Sequence, residues 1–134
     1  MSGHGAPRKR VIVIGEDDAP IAMLLRDAIN DEPAYRSVIV ADGAMIMETV
    51  RQERADLLIL DLMLPGLNGI EVFDRVRQDR ATKDLPVLFV TAARGRFEKQ
   101  MRERNVTNVI AKPFDLNVLL DTVRSLCPAD RDDA

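Results

Sequence analysis

LLILDLMLPGLNGIEV, residues 57–72, is the stretch from which the rest of the chain can be read. Leu57 to Leu60 form an aliphatic run short enough for a strand and apolar enough to be covered on both faces. The run stops at a carboxylate, Asp61, and then meets Pro65-Gly66 and Asn68-Gly69, dipeptides that turn a chain. From Gly69 to Gln78 the apolar residues Ile70, Phe73 and Val76 recur at helical spacing, with Asn68 as the N-cap. A buried strand leading through a turn into an amphipathic helix is the unit of a parallel α/β sheet. An unpaired buried carboxylate costs on the order of several kcal/mol. Asp61 is therefore either a turn residue at the sheet edge or a residue that chemistry requires there.

The same alternation extends in both directions. VIVIG (11–15), SVIVA (37–41), VLFV (87–90) and VIA (109–111) are further continuous apolar runs. Between them lie helical patterns over 20–30, 44–52, 97–104 and 116–126. The first carries Ile21, Leu24, Leu25, Ala28 and Ile29 on one stripe, with Pro20 in its first turn and Asp18 or Ala19 as its cap. The last is capped by Asp115 and carries Leu116, Leu119, Leu120, Val123 and Leu126 on its stripe. Five strands alternating with five helices predict a doubly wound (βα)5 sheet.

Composition narrows the classes. The chain has 134 residues, 46% hydrophobic and 31% charged, which suits one globular domain. No run approaches the ~20 apolar residues that span a bilayer, and MSGHGAPRKR lacks a signal-peptide core. A single cysteine, Cys127, forbids an internal disulfide and fits a reducing cytoplasm. The net charge of −3 offers no electrostatic reason for direct nucleic-acid binding. The only histidine, His4, lies in a Gly-rich stretch read as a flexible leader over residues 1–8. A histidine-based triad or metal site is therefore excluded, and chemistry that needs a histidine must borrow one. Residues 9–127 read as the domain and 128–134 as an acidic tail.

In a doubly wound sheet, ligands bind beyond the carboxyl ends of the strands. Strand one ends in Glu16-Asp17-Asp18, strand three in Asp61, strand four in Thr91 and strand five in Lys112. Strand two ends at Asp42-Gly43, which reads as ordinary turn chemistry. Carboxylates brought together repel one another unless a cation neutralises them, and Mg²⁺ favours a few carboxylates with water and phosphate oxygens. A carboxylate, a divalent cation, a hydroxyl and an ammonium together suit phosphoryl transfer.

Glu16-Asp17-Asp18, Asp61-Leu-Met-Leu-Pro-Gly with Asn68-Gly69, Thr91-Ala92 and Lys112-Pro113-Phe114 resemble the receiver domain of two-component response regulators over residues 9–127. The resemblance implies a flavodoxin-like fold with a five-stranded parallel sheet in the order 2-1-3-4-5. It implies that Asp61 accepts a phosphoryl group from a histidine kinase or phosphotransfer protein, with Thr91 and Lys112 contacting phosphoryl oxygens. Mg²⁺ would be held by Asp17, Asp61 and the Met63 carbonyl, with Glu16 acting mostly through water. Pro65 and Gly66 shape the loop over the site, and Pro113 admits a cis bond. Asp18 reads first as a helix cap and second as a metal contact. The output would be a change in protein–protein contacts by a monomer or weak dimer, and the only catalysis that of its own phosphorylation and dephosphorylation.

The sequence departs from that family at Val109, where receivers usually carry Tyr or Phe, so the usual coupling between threonine and aromatic is lost. Asn105-Val106-Thr107-Asn108-Val109 stands where Gly-Ala-Asp-Asp-Tyr is customary, which predicts a reshaped fourth helix. Five cations from Arg94 to Arg104 face only Glu98 and Glu103, read as a solvated face or as a surface for an acidic partner. The fifth helix lacks the Glu-Leu-x-Ala-Arg pattern of receivers joined to winged-helix domains. The expectation is a stand-alone receiver or one excised from a longer regulator, with a receiver-like interaction module as the alternative. A haloacid dehalogenase-like phosphatase would need a second acid at position 63, which is Met63.

Overall fold

The computed structural model describes residues 8–129. The leader read over 1–8, with His4, and the tail read over 128–134 lie mostly outside the described residues. Arg8, at the border, donates to both oxygens of Asp56 at 3.1 and 3.2 Å.

The strands are β1 (Arg10–Gly15), β2 (Tyr35–Val40), β3 (Leu57–Leu60), β4 (Val87–Thr91) and β5 (Val109–Ala111). They form one parallel sheet in the order β2-β1-β3-β4-β5. The helices are α1 (Ala19–Asn30), α2 (Gly43–Glu53), α3 (Gly69–Gln78), α4 (Glu98–Glu103) and α5 (Leu116–Leu126). The fold class and strand order expected from the sequence are those observed.

Strand alternation divides the core into two layers. Ile12, Ile14, Leu57, Ile59, Leu88 and Val90 face Leu25 and Ile29 of α1 and Leu119 and Val123 of α5. Val13, Leu58, Leu60, Val87 and Phe89 face α2, α3 and α4 through Ile46, Val50, Val72, Phe73, Val76 and Met101. Burial on both faces is why the strands read as unbroken apolar runs. Among the described residues, no helix is long and apolar enough to cross a membrane.

Each long helix begins at a side-chain cap. Asp18, Asp42, Asn68 and Asp115 accept from backbone N–H groups of the first turns of α1, α2, α3 and α5. At α3 the Glu71 carboxylate also accepts from the Asn68 N–H at 3.0 Å, completing a capping box.

Several bounds differ by one residue, β1 beginning at Arg10, α1 at Ala19, α2 spanning Gly43–Glu53 and β4 reaching Thr91, and three readings differ in substance. β2 starts at Tyr35 rather than Ser37 and ends at Val40 rather than Ala41, because the Tyr35 ring is buried and its hydroxyl donates to the Cys127 carbonyl at 2.5 Å. Leu24, placed on the apolar stripe of α1, is 48% exposed, and Ala22 is buried instead. The predicted helix over 97–104 is a 3-10 turn, Gly95–Phe97, followed by the short α4. Neither has a side-chain cap, and the buried Phe97 and Met101 hold the segment to the core.

Candidate functional site

The backbone ladder runs one residue past three strands and fixes the side chains that meet there. Asp61 N–H donates to Gly15 O at 2.9 Å, Glu16 N–H to Val40 O at 3.1 Å and Lys112 N–H to Thr91 O at 3.0 Å. These residues lie at the carboxyl ends of β1, β3, β4 and β5, beside the place where strand order reverses.

Lys112 joins the two sides of this crevice. Its Nζ donates to Asp61 Oδ2 at 2.7 Å and to Glu16 Oε1 at 2.5 Å. Asp61 Oδ1 accepts the Met63 N–H at 3.2 Å, and Glu16 Oε2 accepts the Asp18 N–H at 3.1 Å. Glu16 and Asp61 are buried and Asp17 is exposed, yet carboxylate oxygens of all three lie within 4.8 Å of one another. Three such oxygens, one of them open to solvent, form a donor set suited to a hard divalent cation.

Burial raises the Glu16 carboxyl above its ordinary range, against the hydrogen bond from Lys112, and repulsion from Asp61 adds a smaller push. Desolvation, more than the mutual repulsion expected from the sequence, is thus the main cost at Glu16. Burial alone would pull the Lys112 ammonium down, but its hydrogen bonds to Asp61 and Glu16 outweigh this and hold it above its usual value. The lysine therefore stays charged and partly offsets the carboxylates.

Thr91 is fully buried, and its Oγ1 accepts the Ala93 N–H at 3.0 Å. The acceptor role leaves the hydroxyl proton available for another partner. The Lys112–Pro113 bond is cis. Gly66 has φ +80, a backbone state glycine adopts without cost, and Pro65 O accepts the Gly43 N–H at 2.9 Å. The carbonyl of Met63 belongs to the same loop, and its side chain is 44% exposed.

Two features were not anticipated from the sequence. Gly43, read as turn chemistry, is a contact residue: a methyl there would sit 1.8 Å from Leu67 O. The loop after β3 rests directly on the start of α2, and the only signal was the Asp42-Gly43 pair itself. The second is the direct pairing of Lys112 with Glu16 across 96 residues, which no local pattern encodes.

Val109 is half-buried at the edge of the core. It lines a groove of about 420 Å³ with Arg94, Glu98, Met101, Arg102 and Val106. No aromatic side chain stands at that position, as the sequence states.

Comparison with known proteins gives a consistent result. The family model described as the response regulator receiver domain matches residues 12–124. The DNA-binding response regulator MtrA of Mycolicibacterium paratuberculosis is 34% identical over 119 residues, covering 88% of this chain and 51% of MtrA. The chain thus spans about half the length of the MtrA sequences it matches. Sporulation initiation phosphotransferase F of Bacillus subtilis is 31% identical over 119 residues, covering 87% of this chain and 93% of its own. Among solved structures, the non-phosphorylated HemR receiver domain of Leptospira biflexa superposes with a TM-score of 0.77 at 26% identity, covering 95% of this chain and 100% of that one.

Proposed function

The chain belongs to the family of response regulator receiver domains of two-component systems, and on that premise we propose that Asp61 is its phosphoacceptor. The donor would be a phosphohistidine on a partner kinase or phosphotransfer protein, since no histidine lies among the described residues. The observation that carries the reading is Lys112 Nζ set 2.7 Å from Asp61 Oδ2, within an acidic cluster at the sheet's switch point. In the reaction an Asp61 oxygen bonds to phosphorus while the P–N bond breaks and its electron pair leaves with the imidazole. Lys112 then turns its ammonium toward a phosphoryl oxygen, and the Thr91 hydroxyl donates to another. Mg²⁺, held by Asp17, Asp61 and the Met63 carbonyl, would draw negative charge from the phosphoryl oxygens. Glu16 would act mostly through water.

The receiver unit spans residues 9–127, and its only catalysis is the gain and loss of its own phosphoryl group. It acts in the cytoplasm by changing protein–protein contacts. With Mg²⁺ and acetyl phosphate, intact-mass spectrometry is expected to show one added phosphoryl group, absent from Asp61→Asn. Equal labelling of that variant would refute the assignment.

A further inference from the structure

Resting on the phosphoacceptor reading of Asp61, we propose that Arg96 is a donor-selecting residue whose guanidinium engages the phosphoryl oxygens of an incoming dianionic donor. Arg96 lies in the 3-10 turn that follows β4. The turn is anchored by the buried Phe97, while the Arg96 guanidinium lies 5.7 Å from the Phe97 ring centroid. Its Nη1 reaches across to Met63 Sδ at 3.8 Å. Met63 is two residues beyond Asp61, and its N–H donates to the Asp61 carboxylate. Arg96 therefore spans from the wall after β4 to the loop after β3, across the open side of the crevice.

Its partner is unusual for an arginine. A thioether is a weak acceptor. Among the described residues Arg96 has no carboxylate within ion-pair distance, a state it shares with Arg54, Arg75, Arg77, Arg80 and Arg94, but of these only Arg96 contacts the loop that follows Asp61. The guanidinium is thus held near the site by a contact that costs little to release. Its planar fork matches two phosphate oxygens. Lys112 is the cation of the inner wall and is committed to two carboxylates; Arg96 is the cation of the entrance and is committed to none.

The step it serves is balanced without it. With acetyl phosphate, the Asp61 O–P bond forms as the P–O bond to acetate breaks, and acetate leaves with the electron pair. Arg96 contributes by binding the donor's charge before and during transfer, so its effect scales with that charge.

The test compares wild type, Arg96→Gln, Arg96→Lys and Gly95→Ala at saturating Mg²⁺. Each is labelled with acetyl phosphate, a dianion, and with phosphoramidate, which carries less charge. The slope of labelling rate against acetyl phosphate concentration is expected to fall about two- to fivefold in Arg96→Gln, the size of one exposed charge-assisted hydrogen bond. Arg96→Lys should recover part of that loss, and Gly95→Ala, where an added methyl meets nothing within 4 Å, should keep the wild-type slope. With phosphoramidate, the loss in Arg96→Gln should be less than about half as large on a logarithmic scale. Equal slopes for wild type and Arg96→Gln would overturn the proposal, as would equal losses with both donors. Asp61→Asn is run alongside: labelling of that variant, or no labelling of wild type, removes the phosphoacceptor reading and this proposal with it. Labelling confined to Asp61 with no Arg96 effect removes only this proposal.

Discussion

Replacing Gly69 with alanine adds a single methyl where the acceptor strand and α3 meet. That methyl would lie 2.4 Å from Asp61 O, 2.8 Å from Leu62 Cα and 3.1 Å from Asp61 C. All three atoms are backbone, so no side chain can rotate away. Restoring an ordinary contact of 3.4 Å to the oxygen requires a shift of about 1 Å between α3 and the end of β3. The shift also strains the Gly69 N–H bond to Leu62 O, now 2.9 Å. Overpacking of this kind costs ~1–3 kcal/mol, and alanine's helix propensity returns at most ~1 kcal/mol. We expect a net loss of roughly 1–2 kcal/mol, read from urea denaturation followed by far-UV circular dichroism. Labelling should suffer more, because displacing a reacting group by ~1 Å costs on the order of 10²-fold. The matched control is Gly95→Ala, where an added methyl meets nothing within 4 Å. That variant should fold and label like wild type. Gly69→Ala with wild-type stability and a wild-type labelling rate would refute the claim that this contact sets the position of Asp61.

Asp17→Asn removes the exposed member of the acidic cluster and should abolish Mg²⁺-dependent labelling with little loss of stability; unchanged labelling takes Asp17 out of the metal site. Arg104 donates to both Asp74 oxygens at 2.6 and 2.9 Å, and these hydrogen bonds hold the Asp74 carboxyl below its ordinary value. A depressed folded value means that the stabilisation is present at neutral pH and lost as pH falls through it. Asp74→Asn should therefore cost about 1 kcal/mol or less at pH 7, with the gap to wild type closing as pH drops below about 4; a gap constant from pH 7 to 3 contradicts this. Arg54 caps α2 in the left-handed region at φ 53, so Arg54→Gly should stabilise the fold by up to ~1 kcal/mol, and a loss of stability would show that the side chain contributes more than the strain costs.

The sequence carried the parts of this fold that depend on local pattern. Leu57–Leu60, Val109–Ala111, Gly69–Gln78 and Leu116–Leu126 have the bounds read from apolar runs and caps, because two-sided burial and capping leave direct marks on residue type. The misreadings occur where tertiary contacts override those marks. Tyr35 sits beside a polar Arg36, and its pairing with Arg10 of β1 and its bond to the Cys127 carbonyl, 92 residues away, draw it into β2. Leu24 fits the stripe of α1 by spacing, but its side chain points to solvent. At the site, the residue types at the strand ends were legible, since the doubly wound topology says where to look. What those residues touch was not legible. The bridge from Lys112 to Glu16, the seat of Gly43 under Leu67 and the reach of Arg96 to Met63 all depend on how separate loops meet.

The loop after β3 is pinned to its neighbours at three successive points. Gly43 N–H holds Pro65 O, Leu67 O abuts Gly43, and Gly69 N–H holds Leu62 O. Its length is therefore fixed, as if it were part of the sheet. An affinity tag, a fluorophore-bearing insertion or a permuted terminus placed between residues 62 and 68 would break both ends of that path.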